Sequence, residues 1–389
     1  MISILLLTIV LLTNVVKTIA EELKASLIAI RHFSLSLSTI VCVIFSRKLL
    51  IVFIIQIISF DRLISYATLI VAVLLVDCCI YVAYCNKFFP ESRRITFRKT
   101  PILNEMLSFA GWALIGNLAY IGYTQGLNVL LNMFYGPVVN ASRAVAVQAQ
   151  NAVKSFVSSF QTAANPQITK SYANGDIYRL HRLIFTCSKM SYYLMFCLAL
   201  PIIIKTEYIM SIWLKEVPEH AVSFLRLVLI ISLIEPLYNP IDTANNATGK
   251  IRNYQIIEGG ILLLICPVSY ILMKIGCIPE LVFVTQFIIS FIAQIVRVFI
   301  VKDKLKLSPT TYCIKILLPI FKVTLLSTII SVCLLRYLDN YNSFLSLLVT
   351  FSICILTIFT IAFFIGIDTS EQKFIKQKIE NFRLRLANR

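Results

Sequence analysis

The stretch at residues 140–168 reads NASRAVAVQAQNAVKSFVSSFQTAANPQI, and it carries polar side chains within a strongly apolar chain. It contains no glycine, and its single proline stands near its end. At about 100° per residue along a helix, one face within roughly 40° of Arg143 collects five polar residues. These are Arg143, Gln150, Lys154, Gln161 and Asn165. A solvated loop has no reason to keep this period over about six turns. The pattern therefore predicts a membrane helix with one polar, basic face.

The composition indicates an integral membrane protein. Hydrophobic residues make up 58% of the 389 residues and charged residues 14%, and the mean hydropathy is +0.84. Soluble domains carry about 25% charged residues. Apolar runs of roughly 20 residues recur, which is the length of a membrane-spanning helix rather than of a barrel strand. The sequence thus predicts an all-α, polytopic membrane helix bundle of about eleven transmembrane helices. The expected spans are 2–19, 34–60, 63–86, 104–134, 140–168, 183–204, 221–247, 254–274, 280–300, 314–335 and 343–366.

The loops between these spans alternate in charge. Those after residues 86 and 168, those near 250 and 304, and the tail from Gln372 are rich in Lys and Arg, whereas the others are neutral or balanced. Basic loops face the cytoplasm, so we expect a multi-pass protein of the cytoplasmic (inner) membrane with a cytoplasmic C-terminus. The net charge of +17 then reflects orientation and attraction to membrane lipids, not nucleic-acid binding. Eleven spans that end inside begin outside, so we expect an odd number of leading helices to be missing.

Other polar residues concentrate in two further spans. In span 104–134, a sector of about 80° collects Asn117, Thr124, Asn128 and Asn132. Span 221–247 has Arg226 near its start and then the sequence EPLYNPIDTANN. Its two prolines lack backbone donors, which predicts a kink or a break. Spans 280–300 and 343–366 are interpreted as almost purely aliphatic and aromatic.

Charged groups inside a bilayer usually face a bundle interior or a water-filled cavity, because exposing them to lipid costs several kcal/mol. The candidate substrate-binding residues are therefore Arg143, Gln150, Lys154, Gln161, Asn165, Asn117, Asn128, Asn132, Lys48 and Arg226. Alternatives stay open for several of them. Arg143 and Lys154 could form interhelical salt bridges, Arg226 could extend to the interface, and the asparagines could serve helix packing. Lys48 could pair with Asp77. The carboxylates that could couple transport to an ion are Asp77, Glu235 and Asp242.

A carrier explains more of the sequence than an enzyme does. There is no Asp-x-Asp motif, no Ser/His/Asp grouping and no large extramembrane segment. The eleven cysteines are scattered, so we expect no metal site and no cofactor. A basic stripe suits an anion such as a lipid-linked diphosphate. Two alternatives remain, a cation-coupled small-molecule or multidrug exporter and a membrane polysaccharide polymerase.

Two stretches carry a family resemblance. They are FAGWALIGNLAYIGYTQGLNVLLNMFYGPVVNASRAVAVQAQNAVKSFVSSFQTAANPQITKSYANGD at 109–176 and ATGKIRNYQ at 247–255. This sequence resembles the polysaccharide flippases of the multidrug/oligosaccharidyl-lipid/polysaccharide exporter superfamily, above all the O-antigen and capsule repeat-unit flippases of gut Bacteroidetes. The resemblance implies two six-helix lobes that move undecaprenyl-diphosphate-linked oligosaccharides across the membrane by alternating access. It also implies a lipid-linked glycan as substrate and a polysaccharide polymerase and glycosyltransferases as partners.

The resemblance divides the chain into three parts. Residues 1–100 would be a partial N-lobe, with its last three helices and a basic linker. Residues 101–303 would form the C-lobe six-helix bundle, and 304–389 two extra C-terminal helices with a basic cytoplasmic tail. The first three helices of such a flippase have no counterpart, so the resemblance implies an incomplete two-lobe exporter fold, truncated at the N-terminus.

Overall fold

The computed structural model describes residues 101–338, 344–368, 371 and 372, together with seven residues between 68 and 79. The chain divides into two compact units, Met1–Lys99 and Thr100–Arg389. The described part of the second unit consists of helices and short connections, without a β-strand. This agrees with the all-α expectation.

The helices follow one another with short connections. They are α1 (Pro101–Ala173), α2 (Ile177–Ile204), α3 (Thr206–Trp213), α4 (Ala221–Ser232), α5 (Glu235–Ala247), α6 (Arg252–Leu263), α7 (Ile265–Lys274), α8 (Glu280–Leu305), α9 (Pro309–Tyr312), α10 (Leu318–Leu338) and α11 (Phe344–Ile361). A π-helical turn, Cys313–Leu317, joins α9 to α10, and a second, Ala362–Gly366, follows α11.

Six segments of the described part are long and apolar enough to cross a membrane. They are Ile177–Ile204, Ala221–Ala247, Arg252–Lys274, Glu280–Leu305, Pro309–Arg336 and Phe344–Gly366. They coincide with the last six expected spans, which supports a multi-pass helical membrane protein. The total of about eleven stays a prediction, because spans 2–19 and 34–60 and most of 63–86 lie outside the described residues.

The two expected spans 104–134 and 140–168 both lie in α1, which is interrupted at Gly136. The backbone of Gly136 has φ 83° and ψ 178°, a combination that is essentially restricted to glycine. Pro137 follows it. The second half of α1 folds back on the first. Hydrogen bonds from Arg143 to Asn128 and to the carbonyl of Thr124 connect the two halves. Helix α1 is therefore a hairpin of two long helices.

The segment 221–247 is also broken. Helix α4 ends at Ser232, and α5 begins at Glu235. Between them the amides of Leu233 and Ile234 bond to carbonyls three residues earlier, at 3.2 and 3.1 Å. Pro236 has no amide proton to continue the helical bonding. The predicted break is thus present and two residues long, and it lies just before Pro236, whereas Pro240 lies within α5 without interrupting it.

Small residues allow the first half of α1 to approach α6 and α7 closely. A Cβ atom added at Gly259 would lie 3.0 Å from the Cβ atom of Ala119. One added at Gly126 would lie 2.6 Å from the sulfur of Cys266. Helices in membranes commonly pack through small residues, because the hydrophobic effect does not drive helices together in lipid and close van der Waals contact is needed instead.

The segment after α11 is fastened to the middle of α2. Lys189 is fully buried, and its ammonium group lies 2.7 Å from Glu371 and 3.4 Å from Asp368. Thr186 donates a hydrogen bond of 2.5 Å to the other oxygen of Glu371. Helix α2 has 67% of its most apolar window buried, against 22% for the α11 segment. Helix α2 is therefore the more buried of the two, and the segment after α11 is held against it by these polar contacts.

Candidate functional site

A cavity of about 270 Å³ lies between the two halves of α1 and helices α4, α5, α6 and α8. This volume is close to the lower end of ligand pockets, roughly 300 Å³, and would admit a group the size of a diphosphate or a sugar. The polar lining consists of Tyr120, Tyr123, Thr124, Gln125, Asn128, Arg143, Gln150, Asn151, Lys154, Ser232, Glu235, Tyr238, Glu258, Gln286, Ser290 and Arg297.

Arg143 lies in the cavity wall without an acidic partner among the described residues. Only 7% of its surface is exposed. Its guanidinium donates to the side-chain oxygen of Asn128 and, at 3.3 Å, to the carbonyl of Thr124. The buried Nε atom has no hydrogen-bond partner. A buried guanidinium that contacts only neutral groups keeps its full positive charge and a free donor.

Lys154, eleven residues further along the same face of α1, does have a counter-ion. Its ammonium group lies 2.5 Å from the carboxylate of Glu235, the first residue of α5, and the two side chains are 25% and 29% exposed. One turn earlier, Gln150 donates to the carbonyl of Val228 at 3.1 Å and to the hydroxyl of Ser232. Lys154 thus lines the cavity and also forms the interhelical salt bridge that the sequence left as an alternative.

A second ion pair closes the other side of the cavity. Arg297 of α8 lies 2.5 Å from Glu258 of α6, with side chains 4% and 16% exposed. The guanidinium also stacks over the ring of Tyr238, at 4.2 Å from its centroid. Close contact with a carboxylate and an aromatic face holds this arginine in one position.

The interpretation of span 280–300 as almost purely apolar is wrong. Gln286, Ser290 and Arg297 line the cavity from α8. They recur within a sector of about 40° at helical periodicity, so the criterion applied to 140–168 would have found them. Their low number among many aliphatic residues concealed them.

The charged lining has one excess positive charge. Lys154 is matched by Glu235 and Arg297 by Glu258, whereas Arg143 is unmatched among the described residues. Burying an unmatched charge is costly, so such a site favours a ligand that brings a negative charge.

The remaining candidates are placed differently. Gln161 is buried, its amide nitrogen has no hydrogen-bond partner, and the residue lines a small void with Lys154 and Glu235. Asn165 is half-buried and outside both spaces, and Asn117 and Asn132 are exposed and outside the cavity. Arg226 lies outside it as well, 3.2 Å from Glu207. Lys48 lies outside the described residues.

Of the expected coupling carboxylates, Glu235 lies in the cavity. Asp242 lies two turns further along α5 and accepts a hydrogen bond of 3.3 Å from Asn246. Asp77 lies outside the described residues. Within the described ranges no three His, Cys, Asp or Glu side chains converge on a point where a metal ion could bind.

Comparison with protein-family models, with curated proteins and with solved structures finds no match to this chain.

Proposed function

We propose that this protein is a carrier of the cytoplasmic membrane, not an enzyme, and that it flips undecaprenyl-diphosphate-linked oligosaccharide repeat units for surface polysaccharide biosynthesis. The observation that supports this proposal most strongly is the environment of Arg143. Its guanidinium is buried in the wall of a cavity between apolar helices and has no counter-ion among the described residues. In this proposal the diphosphate binds at Arg143 and the cavity alternates between the two membrane faces. The C-terminus is cytoplasmic, and glycosyltransferases and a polymerase act before and after the protein.

The electrostatic balance supports an anionic ligand. A diphosphate offers several charged acceptor oxygens, which suit an arginine guanidinium that has no carboxylate partner among the described residues. The hydrogen bonds to Asn128 and Thr124 fix the orientation of the guanidinium before the ligand arrives. Such preorganisation reduces the entropy that binding costs.

The remaining lining supports a sugar next to the diphosphate. Tyr120 and Tyr123 pack edge to face at 5.3 Å, and Tyr120 is exposed towards the cavity. The amide side chains of Gln125, Asn151 and Gln286 line the same cavity and provide donors and acceptors. Aromatic faces with nearby amides match the apolar faces and the hydroxyl rims of pyranose rings.

A multidrug exporter for cationic compounds is the second candidate, because Glu235 and Glu258 lie in the cavity. Both carboxylates are already paired with basic side chains. The net positive charge of the described lining therefore favours the anionic ligand.

Complementation tests the proposed function. The gene, including its upstream in-frame region, is expressed in a bacterium that lacks its repeat-unit flippase, and surface polysaccharide is measured on blots at matched membrane levels of the protein. We expect the wild-type chain to restore the glycan and Arg143→Gln to reduce it about tenfold or more, since a charge-assisted hydrogen bond contributes about 1.5–3 kcal/mol.

The matched control is Arg179→Gln, which removes the same charge from an exposed position at the start of α2. It should restore the glycan as the wild type does. Failure of the wild-type chain to restore the glycan, or full restoration by Arg143→Gln, would contradict the proposal.

A further inference from the structure

We infer that Glu235 is an internal counter-ion that competes with the ligand: it holds Lys154 while no anion is bound, and a bound anion takes over Lys154 and frees the joint between α4 and α5. This inference rests on the proposed function, because it uses the same anion site. The ligand chemistry is a diphosphate, either as the headgroup of a lipid or as the free anion.

The joint at residues 233 and 234 is a weak point of its span. Its backbone hydrogen bonds, donated by Leu233, Ile234 and Leu237, each reach back only three residues, and Pro236 contributes no backbone donor. Few hydrogen bonds resist bending where a helix is interrupted in this way. The angle between α4 and α5 therefore depends on contacts from outside the segment.

Helix α1 supplies contacts on both sides of the joint, in addition to two side-chain hydrogen bonds that α8 and α9 donate to a carbonyl of α5. Gln150 binds Val228 and Ser232 at the end of α4. Lys154, one turn further along α1, binds Glu235 at the start of α5. Gln150 therefore contacts α4 and Lys154 contacts α5. The Lys154–Glu235 ion pair is the contact of these two residues with α5.

The Lys154–Glu235 pair can exchange partners. Both side chains are about a quarter exposed, and both line the cavity that contains Arg143. Arg143 and Lys154 lie about 16 Å apart along the axis of α1, a distance that their two long side chains and a diphosphate between them can span. An anion in that place would repel the like charge of Glu235. The Arg297–Glu258 pair is more deeply buried and is stacked on Tyr238, so it stays intact. Ligand binding would thus release one contact beside the joint, the Lys154–Glu235 ion pair.

Binding measurements on the full chain in lipid nanodiscs test the competition. The probes are farnesyl diphosphate for a lipid headgroup and inorganic pyrophosphate for the free anion. We expect Glu235→Gln to bind farnesyl diphosphate about tenfold more tightly, because the anion no longer has to displace a carboxylate. In a Lys154→Met background, the same substitution should change affinity by less than about twofold, since the coupling runs through Lys154.

The matched control is Glu207→Gln, which removes one negative charge from an exposed pair outside the cavity and should leave affinity unchanged. Tighter binding of both probes by Glu235→Gln would assign recognition to the diphosphate, and tighter binding of farnesyl diphosphate alone would assign it to the lipid-linked form. Either result supports the inference. Unchanged or weaker binding by Glu235→Gln, or a gain that survives in Lys154→Met, would overturn it.

Amide hydrogen exchange gives a second readout at the joint itself. Saturating farnesyl diphosphate should accelerate exchange in residues 230–238, and Glu235→Gln should show that acceleration without ligand. Equal exchange in all states would overturn the release of the joint.

The two proposals fail differently. If Arg143→Gln weakens binding while Glu235→Gln has no effect, the anion site stands and the counter-ion inference fails. If the wild-type chain binds neither probe, the proposed function fails with it.

Discussion

Basic side chains inside the described bundle differ in what balances their charge. Lys189, Lys154 and Arg297 each contact a carboxylate, and Arg143 contacts an amide and a carbonyl. A paired charge contributes to the structure by itself, whereas an unpaired one favours a bound anion. At the scale of single residues, this difference separates Arg143 from the other three.

Lys189 should be a stability residue. Replacing it with Met leaves Glu371 buried without its cation, and breaking a buried pair costs about 3–5 kcal/mol. We expect Lys189→Met to lower the free energy of unfolding by this amount in denaturant titrations of the detergent-solubilised chain. The double substitution Lys189→Met/Glu371→Gln should recover part of the loss, because no charge is then left unpaired.

Glu207→Gln serves as the comparison for this pair. The Glu207 side chain is 77% exposed, and the side chain of its partner Arg226 is 40% exposed. Losing an exposed pair should cost no more than about 1 kcal/mol. If Lys189→Met is as stable as Glu207→Gln, the buried pair does not anchor the C-terminal segment.

The sequence predicted some of these residues and missed others for identifiable reasons. Helical periodicity gathered Arg143, Gln150 and Lys154, and all three line one cavity. Glu235 was predicted as a carboxylate that could couple transport to an ion, but its pairing with Lys154 depends on how two distant helices align, which periodicity within one helix does not give. Arg297 was missed because an apolar average over its span hid a short polar face.

At the scale of elements, the hairpin of α1 depends on a single backbone position. Gly136→Ala should destabilise the protein by about 1–3 kcal/mol, because alanine is strained at φ 83° and ψ 178°. No atom lies within 4 Å of a Cβ added there, so the backbone alone causes the loss. The midpoint of thermal unfolding in detergent measures it.

Gly111→Ala is the control, since that glycine is helical, exposed and equally free of neighbours. It should be neutral or stabilising by up to about 1 kcal/mol. Equal midpoints for the two variants would mean that the hairpin does not require glycine at 136.

The hairpin also explains why residues on one helical face differ in their contacts. Asn117, Asn128 and Asn132 share a sector of the first half of α1, but only Asn128 lies opposite Arg143. Asn132 lies close to the turn, and Asn117 lies nearer the start of α1, where Gln255 of α6 packs against Gly116. Periodicity predicts a face, whereas the position of the turn decides which part of that face meets the partner helix.

At the scale of the whole described unit, the cavity is assembled from segments separated by more than 150 residues, from Tyr120 to Arg297. Six of the eleven expected spans coincide with helices that are long and apolar enough to cross a membrane. Hydropathy could not predict the cavity, which depends on the mutual rotation of five helices. The sequence therefore supported the class of fold and one wall of the site.

The central claim is that Arg143 forms an anion site, and direct binding tests it most simply. Farnesyl diphosphate is titrated against the full chain in nanodiscs, with wild type, Arg143→Gln and Arg179→Gln compared at equal ionic strength. We expect the dissociation constant to rise about ten- to hundredfold for Arg143→Gln and to stay unchanged for Arg179→Gln. Equal affinity of wild type and Arg143→Gln would contradict the claim.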